Sequence, residues 1–171
     1  MSFSVAARLS MFAAVLALAA CGQPSSNTAN TASASSSAPV GAPPALTDAQ
    51  TKALIAQLPA AYQSADLSNG EAKFAICRSC HTLPEGGEDM TGPNLWGIFG
   101  RKAGSKPGFS YSDELKNAGW TWDADRIDKW ITNPHAVLPD TKMTFIGMPS
   151  ATDRRDVIAF LKVQTSPAPK S

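Results

Sequence analysis

The most reactive side chains of this sequence lie within five residues, CRSCH, from Cys77 to His81. The chain of 171 residues has only three cysteines and two histidines, so two thiols and an imidazole in one short stretch require a chemical explanation. Three kinds of site use such a cluster: a zinc site, a redox-active dithiol, and the covalent attachment of a haem. The rest of the sequence has to discriminate among them.

A zinc site and a redox dithiol both fit poorly. A structural zinc ion takes four ligands, yet the only histidine outside the cluster is the distant His135, and the chain has no second C-x-x-C. A thioredoxin-like dithiol requires a strand before the motif and a βαβ setting. The residues before Cys77 are predicted to be helical instead, and no alternating strand pattern appears anywhere in the chain.

Covalent haem attachment explains the spacing. Two cysteines three residues apart on a helical turn can both reach the vinyl groups of one porphyrin as thioethers. The next residue, His81, then directs its imidazole at the iron. Because C-x-x-C-H is the attachment signature of c-type haem, we expect one covalently attached haem c per chain, held by Cys77 and Cys80.

The first twenty residues have the pattern of an export signal. Arg8 precedes a short apolar run, Met11 to Ala20, which is too short to span a bilayer as a helix. The run ends in LAAC, which resembles the lipobox of bacterial lipoproteins; the alternative is an ordinary signal peptide with a chance cysteine. We therefore expect residues 1–20 to be removed, and Cys21 to carry acyl chains that anchor the protein on the periplasmic side of a bacterial membrane.

The residues after Cys21 are expected to form a disordered tether. Residues 23–45 contain no charged or aromatic side chain, so they cannot bury enough apolar surface to offset the entropy of ordering. This assigns 21–45 to the lipidated cysteine and its tether. Elsewhere the charges cancel, because fifteen basic residues less Arg8 balance fourteen acidic ones. Since nucleic-acid binding requires a basic stripe, we expect no nucleic-acid partner.

Helices account for the rest of the chain. Thr47 and Gln50 form a capping box that predicts a short helix in a connector, residues 46–65. The compact domain, residues 66–164, begins with a helix capped by Asp66 or Ser68 that leads into the cysteines. Further short helices are predicted from Ser112, Asp123 and Ser150, and residues 165–171 are expected to be a disordered tail. A domain of about 100 residues with so many loops is predicted to fold around something other than its own side chains.

Four segments, taken in order, resemble a class I cytochrome c of the mitochondrial type. They are GEAKFAICRSCHTL, TGPNLWGIFGRKAGSKPGFSYSDELKNAGWTW, NPHAVLPDTKMTFIGM and RRDVIAFLK. The resemblance implies an all-α class I cytochrome c fold, with a few helices and long loops around one haem, in which the first and last helices cross at Gly70 and Phe160. It also implies a single-haem electron carrier rather than an enzyme. A haem peroxidase or gas-binding protein, and the electron-transfer subunit of a larger dehydrogenase, are the alternatives.

The same resemblance assigns roles around the haem. The second axial ligand of the family lies in a P-x-T-K-M loop, which here implies Met143 rather than Met148 or Met90. A thioether ligand favours ferrous iron and raises the reduction potential. The carbonyl of Pro93 is implied to accept a hydrogen bond from His81. The other side chains implied to surround the haem, the first four through its propionates, are Arg101, Tyr111, Trp122, Thr141 and Phe145.

Partners follow from the same resemblance: a quinol:cytochrome c oxidoreductase as donor, and a terminal oxidase or a photosynthetic reaction centre as acceptor. Two residues depart from the family pattern. Trp130 occupies a position where tyrosine is usual and Leu115 one where asparagine is common, and both are expected to remove polar partners from an internal network. The family has a ring of lysines around the exposed haem edge, and few of them are present here; Lys102, Lys106 and Lys142 are the clearest. Docking through strong charge complementarity is therefore not expected.

Overall fold

The computed structural model describes residues 45–170; the expected signal peptide, Cys21 and nearly all of the tether lie outside the described residues. Between 45 and 170 the secondary structure is helical without strands, which confirms the all-α class, and one isolated antiparallel bridge joins Lys102 and Thr121. No helix in this range has the length and apolar character needed to cross a membrane. The α-helices are α1 (Asp48–Ile55), α2 (Leu67–Phe74), α3 (Asp113–Lys116), α4 (Ala124–Thr132), α5 (Pro134–Val137) and α6 (Ala151–Gln164), with 3-10 turns at Ala60–Tyr62 and Cys77–Ser79.

The helices begin where their capping residues predict. The Thr47 hydroxyl accepts the backbone N–H of Gln50 at 3.2 Å, and the Gln50 side chain accepts the backbone N–H of Thr47 at 2.9 Å, which completes the capping box of α1. Asp66, rather than Ser68, caps α2. Each cap satisfies backbone donors that the first helical turn cannot pair by itself. Side-chain caps also start α3, α4 and α6, at Ser112, Asp123 and Ser150.

The first helix of the domain crosses the last one at a glycine, as the resemblance implies. A β-carbon on Gly70 of α2 would lie 2.8 Å from the β-carbon of Phe160 and would collide with the backbone of Asp156. The rings of Phe74 and Phe160 pack beside this crossing with their centroids 5.6 Å apart. Only a residue without a side chain lets the two backbones approach this closely. The crossing therefore fixes α2, and the CRSCH turn that follows it, against α6.

A buried carboxylate also fixes α2 against α6. Asp156 is 1% exposed, and it accepts hydrogen bonds from the backbone of Asp66 at 3.1 Å, from Asn69 Nδ2 at 2.8 Å and from Arg155 Nε at 2.8 Å. Burial alone would raise the pKa of Asp156, but these hydrogen bonds outweigh it and hold the pKa below its usual range. The carboxylate therefore stays charged and hydrogen-bonded to groups at the start of α2 and in α6.

The connector before the domain packs against the helices. Leu54 and Leu58 are buried, and the Tyr62 hydroxyl donates a hydrogen bond to Asp125 of α4 at 2.9 Å. Burial and this carboxylate raise the pKa of Tyr62, so its hydroxyl remains a donor. The connector thus adds to the core.

The residues after α6 differ from the expected tail at their start. Thr165 is fully buried and Ser166 is nearly so. The carbonyl of Thr165 accepts the backbone N–H of Gly97 at 2.7 Å, and its hydroxyl donates to the carbonyl of Leu161 at 2.8 Å. Disorder was expected from residue 165 onward, but these hydrogen bonds allow Thr165 to be buried.

Candidate functional site

The helices α2, α4 and α6 and the loops between them surround one apolar cavity of about 410 Å³. Pockets for ligands and cofactors typically measure roughly 300–1,000 Å³. Much of its wall is aliphatic, including Ile98, Leu115, Ile127, Val157 and Leu161. Every site residue predicted within the described range lines this cavity: Cys77, Cys80, His81, Pro93, Arg101, Tyr111, Trp122, Thr141, Met143 and Phe145. The predicted lipidation site, Cys21, lies outside the described residues.

The two cysteines lie on a tight turn just beyond the end of α2. The backbone N–H groups of Cys80 and His81 both donate to the carbonyl of Cys77, at 3.0 and 2.9 Å. The thiols are not joined by a disulfide. Burial, and next the neighbouring Cys80, raise the pKa of the Cys77 thiol to about 11. Redox dithiols require a lowered thiol pKa, so this environment does not suit one.

The imidazole of His81 is held in one orientation. Its Nδ1 lies 2.7 Å from the carbonyl oxygen of Pro93. Because a carbonyl can only accept, Nδ1 carries the proton and Nε2 is left with a free lone pair, which is the form that binds a metal. Burial lowers the pKa of His81, and the bond to Pro93 offsets this only in part, so the ring is neutral.

Gly92 supports the other side of the imidazole, and the sequence analysis did not single it out. A β-carbon at this position would lie 2.8 Å from each of the two ring nitrogens of His81. The backbone N–H of Gly92 also donates to the carbonyl of Cys80 at 2.9 Å. The ring of His81 therefore packs against the backbone of Gly92. The only indication of this contact in the sequence was that a glycine directly precedes Pro93.

Met143 also lines this cavity, and Trp130 contacts its sulfur. The indole Nε1 of Trp130 donates to Met143 Sδ at 3.2 Å. The expectation that Trp130 removes a polar partner was wrong, because its N–H takes that place; Leu115 supplies only an apolar side chain to the wall. Of the two rival methionines, Met148 also lines the cavity, whereas Met90 is 49% exposed and does not.

Three polar side chains point to an anionic group at the cavity. The guanidinium of Arg101 donates to the carbonyls of Trp96 and Asn94 at 3.1 and 3.2 Å, which uses two of its five N–H groups. Burial lowers the pKa of Arg101 and raises that of Tyr111. Thr141, also buried, accepts the backbone N–H of Met143 at 3.3 Å. Polar groups in such a wall need partners, and haem propionates would provide them.

The donor set fits a c-type haem better than a bare metal ion. Within residues 45–170, no group of three or more His, Cys, Asp or Glu side chains is placed to hold an ion, whereas structural zinc requires four ligands. Two thiols, one neutral imidazole and one thioether on an apolar wall are instead the side chains that hold a c-type haem and its iron.

Comparison with known proteins decides the family. The chain is 47% identical to the cytochrome c2 of Rhodomicrobium vannielii over 104 residues, which are 61% of this chain and 83% of that protein. The chain belongs to the cytochrome c family. It is also 43% identical to the cytochrome c2 of Rhodoblastus acidophilus over 56% of this chain and 90% of that one. With the cytochrome c of the plant Stellaria longipes it shares 42% identity over 61% of this chain and 97% of that one. No protein-family model matches it.

Family membership decides the cofactor and the class of activity. Like its relatives, this cytochrome carries one covalently attached haem c and is an electron carrier rather than an enzyme. The expected fold class, cofactor and function are thereby confirmed.

The contact between Trp130 and Met143 predicts a shift in reduction potential. With Met143 as an iron ligand, this hydrogen bond would withdraw electron density from its sulfur, so the thioether would stabilise ferric iron less and the reduction potential would be higher. Trp130→Phe keeps an aromatic ring but removes the donor, and a net hydrogen bond of about 0.5–1.5 kcal/mol corresponds to a fall of roughly 20–60 mV. Potentiometric titration measures this fall. Trp120→Phe is the control, because Trp120 lies outside the cavity lining, and it should leave the potential unchanged. An unchanged potential in Trp130→Phe would contradict the assignment of Met143 as an iron ligand that accepts this hydrogen bond.

Proposed function

We propose that this cytochrome is a lipid-anchored periplasmic carrier that moves single electrons between membrane redox complexes. One observation carries the electron-transfer part of the proposal: His81 and Met143 both line one apolar cavity. With both as axial ligands, no coordination position remains for a substrate. When bound, haem iron supplies reversible one-electron oxidation and reduction.

The side chains divide the work of binding and tuning. Cys77 and Cys80 hold the porphyrin through thioethers, and the neutral His81, oriented by Pro93, supplies the stronger axial donor. Met143 supplies the softer donor, whose thioether favours the ferrous state. The aliphatic wall excludes water, which limits reorganisation when the charge on the iron changes. Arg101, Tyr111, Trp122 and Thr141 would pair the propionates, and Phe145 would pack against the porphyrin.

The proposed partners are membrane complexes. A quinol:cytochrome c oxidoreductase would supply the electron, and a terminal oxidase or a photosynthetic reaction centre would accept it. The proposal is supported by the similarity to cytochromes c2 and c. The periplasmic address is supported by the export pattern of residues 1–20, and the anchor by the LAAC motif that ends at Cys21.

Optical spectra of the haem-loaded protein test the carrier proposal. We expect low-spin iron in both oxidation states, and a weak near-infrared charge-transfer band in the ferric state from its thioether ligand. Carbon monoxide should bind slowly or not at all, because Met143 occupies the position it needs. Rapid binding of carbon monoxide together with no near-infrared band would favour a ligand-binding protein or a peroxidase instead.

The anchor is tested separately by cell fractionation. The wild-type protein should remain with membranes and require detergent for release, whereas Cys21→Ser should become soluble or keep its signal peptide, because no sulfur is left to acylate. Ser25→Ala, in the same segment, should fractionate like the wild type. Mass spectrometry of the mature amino terminus gives the direct readout, and an unmodified Cys21 thiol there would exclude the anchor without affecting the electron-carrier assignment.

A further inference from the structure

The exposed large hydrophobic side chains of residues 45–170 either line the cavity or directly precede a residue that does. They are Ile76, Met90 and Ile146, with exposures of 59%, 49% and 90%. Ile76 and Ile146 also line the cavity, so they mark where it meets solvent, and Met90 precedes Thr91, another lining residue. Single exposed hydrophobic residues are ordinary on protein surfaces, whereas a contiguous group marks an interaction site.

The exposure of Ile146 follows from fixed backbone on its carboxyl side. Gly147 has a φ of 108°, and a β-carbon there would collide with the carbonyl of Thr132 at the end of α4. The backbone N–H of Met148 then donates to the carbonyl of Ile131 at 2.8 Å. These contacts hold the loop against α4 and leave the Ile146 side chain in solvent, where it adds almost nothing to the stability of the fold.

Two basic side chains near the mouth of the cavity are paired with carboxylates. Arg78 pairs with Glu71 at 3.1 Å, and Lys106 pairs with Asp89, the residue before Met90, at 2.8 Å. Lys142 keeps its charge, and its ammonium donates to a backbone carbonyl and a hydroxyl of a facing loop. Over residues 45–170 the formal charge is zero, because fourteen basic residues balance fourteen acidic ones. Such a surface has little net field with which to steer a charged partner.

We propose that Ile76, Met90 and Ile146 form an apolar docking surface for a redox protein whose own electron-transfer site lies in an uncharged, apolar surface. The inference rests on the proposed function and specifies its partner. An acidic partner would lose hydration without gaining a counter-charge, whereas an apolar partner gains from the water released by both surfaces. Because Ile76 directly precedes Cys77, a protein docked here would lie beside the haem-attachment turn.

The salt dependence of electron transfer tests the character of this surface. The probe is membrane from the organism that encodes the chain, washed free of the protein and supplied with quinol. The readout is the second-order rate constant for reduction of the ferric, haem-loaded protein. Between about 20 and 200 mM ionic strength the Debye length falls from roughly 20 Å to below 10 Å. We expect the rate constant to change less than about threefold, and a fall of more than about tenfold would overturn the inference.

Two opposite charges at one position give a sharper test. Ile146→Lys and Ile146→Glu should both lower the rate constant, by about five- to tenfold each, because either charge is desolvated against an apolar partner. An acidic partner would respond oppositely, with a faster Ile146→Lys and a slower Ile146→Glu, and that result would overturn the inference. The matched control is the double variant Asp89→Asn/Lys106→Gln, which removes an ion pair without changing the net charge. It should leave the rate constant unchanged.

The remaining readouts separate this inference from the proposed function. Ile146 also lines the cavity, so the spectrum and reduction potential of its variants are measured beside the wild type, and the rate constants are compared at equal driving force. Oxidation of the ferrous protein by a small uncharged quinone should match the wild type. If membranes reduce the wild-type protein well, but Ile146→Lys raises the rate constant and Ile146→Glu lowers it, the docking inference fails and the proposed function stands. If membranes do not reduce the wild-type protein at any ionic strength, the proposed function fails and the inference with it.

Discussion

Replacing both Cys77 and Cys80 with alanine should release the haem and leave little folded protein. The domain surrounds an apolar cavity of about 410 Å³ that meets solvent beside Ile76 and Ile146. A porphyrin that removes on the order of 400 Å² of apolar surface from water there would stabilise the folded state by roughly 10 kcal/mol, at about 25 cal/mol per Å². That is comparable to the whole free energy of unfolding of a typical domain, about 5–15 kcal/mol. A variant that cannot retain its haem therefore has almost no margin of stability.

Haem staining after denaturing electrophoresis and extraction with acid acetone measure the attachment, and far-ultraviolet circular dichroism measures the fold. Ser79→Ala, inside the same turn, removes a hydroxyl that donates to the carbonyl of Ile76 at 2.7 Å but leaves both thiols in place. It should retain its haem and fold. Wild-type haem that extracts freely would show that no thioether is formed.

Local chemistry made much of this fold predictable. The caps at Thr47 and Asp66 could be read because each one acts within three residues of itself. The CRSCH turn is equally local, since its hydrogen bonds run from Cys80 and His81 back to Cys77. The residues contributed by distant loops could not be placed by such reasoning, and they were assigned only through the resemblance to the family.

What the sequence did not predict depends on contacts between distant residues. The hydrogen bond from Trp130 to Met143 joins α4 to a loop thirteen residues later. From the sequence, the replacement of the usual tyrosine by tryptophan indicated only that a polar partner was lost. The burial of Thr165 likewise depends on Gly97, far away in the chain. Gly92 was overlooked because its importance appears only once the ring of His81 lies against it. In each case the decisive atom belongs to a different segment.

Met143→Ala should convert the carrier into a protein with an open coordination position. Without the thioether, the near-infrared band should disappear and carbon monoxide and cyanide should bind. The reduction potential should fall by more than about 100 mV, a modest part of the roughly 0.8 V range that axial ligands control. Peroxide could then reach the iron, so the variant should gain peroxidase activity that the wild type lacks. Spectroscopy measures the band and the binding of carbon monoxide and cyanide, potentiometry measures the potential, and a peroxidase assay measures the gained activity.

Met148→Ala is the matched control, because it removes another methionine side chain that lines the same cavity, five residues further along the chain. It should retain the band and the high potential, as should Met90→Ala on the surface. If Met148→Ala, and not Met143→Ala, abolished the band, Met148 would be the axial ligand.

A double variant separates ligation from packing. In Met143→Ala the indole N–H of Trp130, which is 7% exposed, loses its acceptor, and an unsatisfied buried donor costs about 1–3 kcal/mol. Adding Trp130→Phe removes that donor, so the double variant should regain part of the lost stability in a denaturant titration. It should not regain the potential or the near-infrared band, because neither alanine nor phenylalanine can bind iron. Recovery of the potential in the double variant would show that Met143 acts through Trp130 rather than as a ligand.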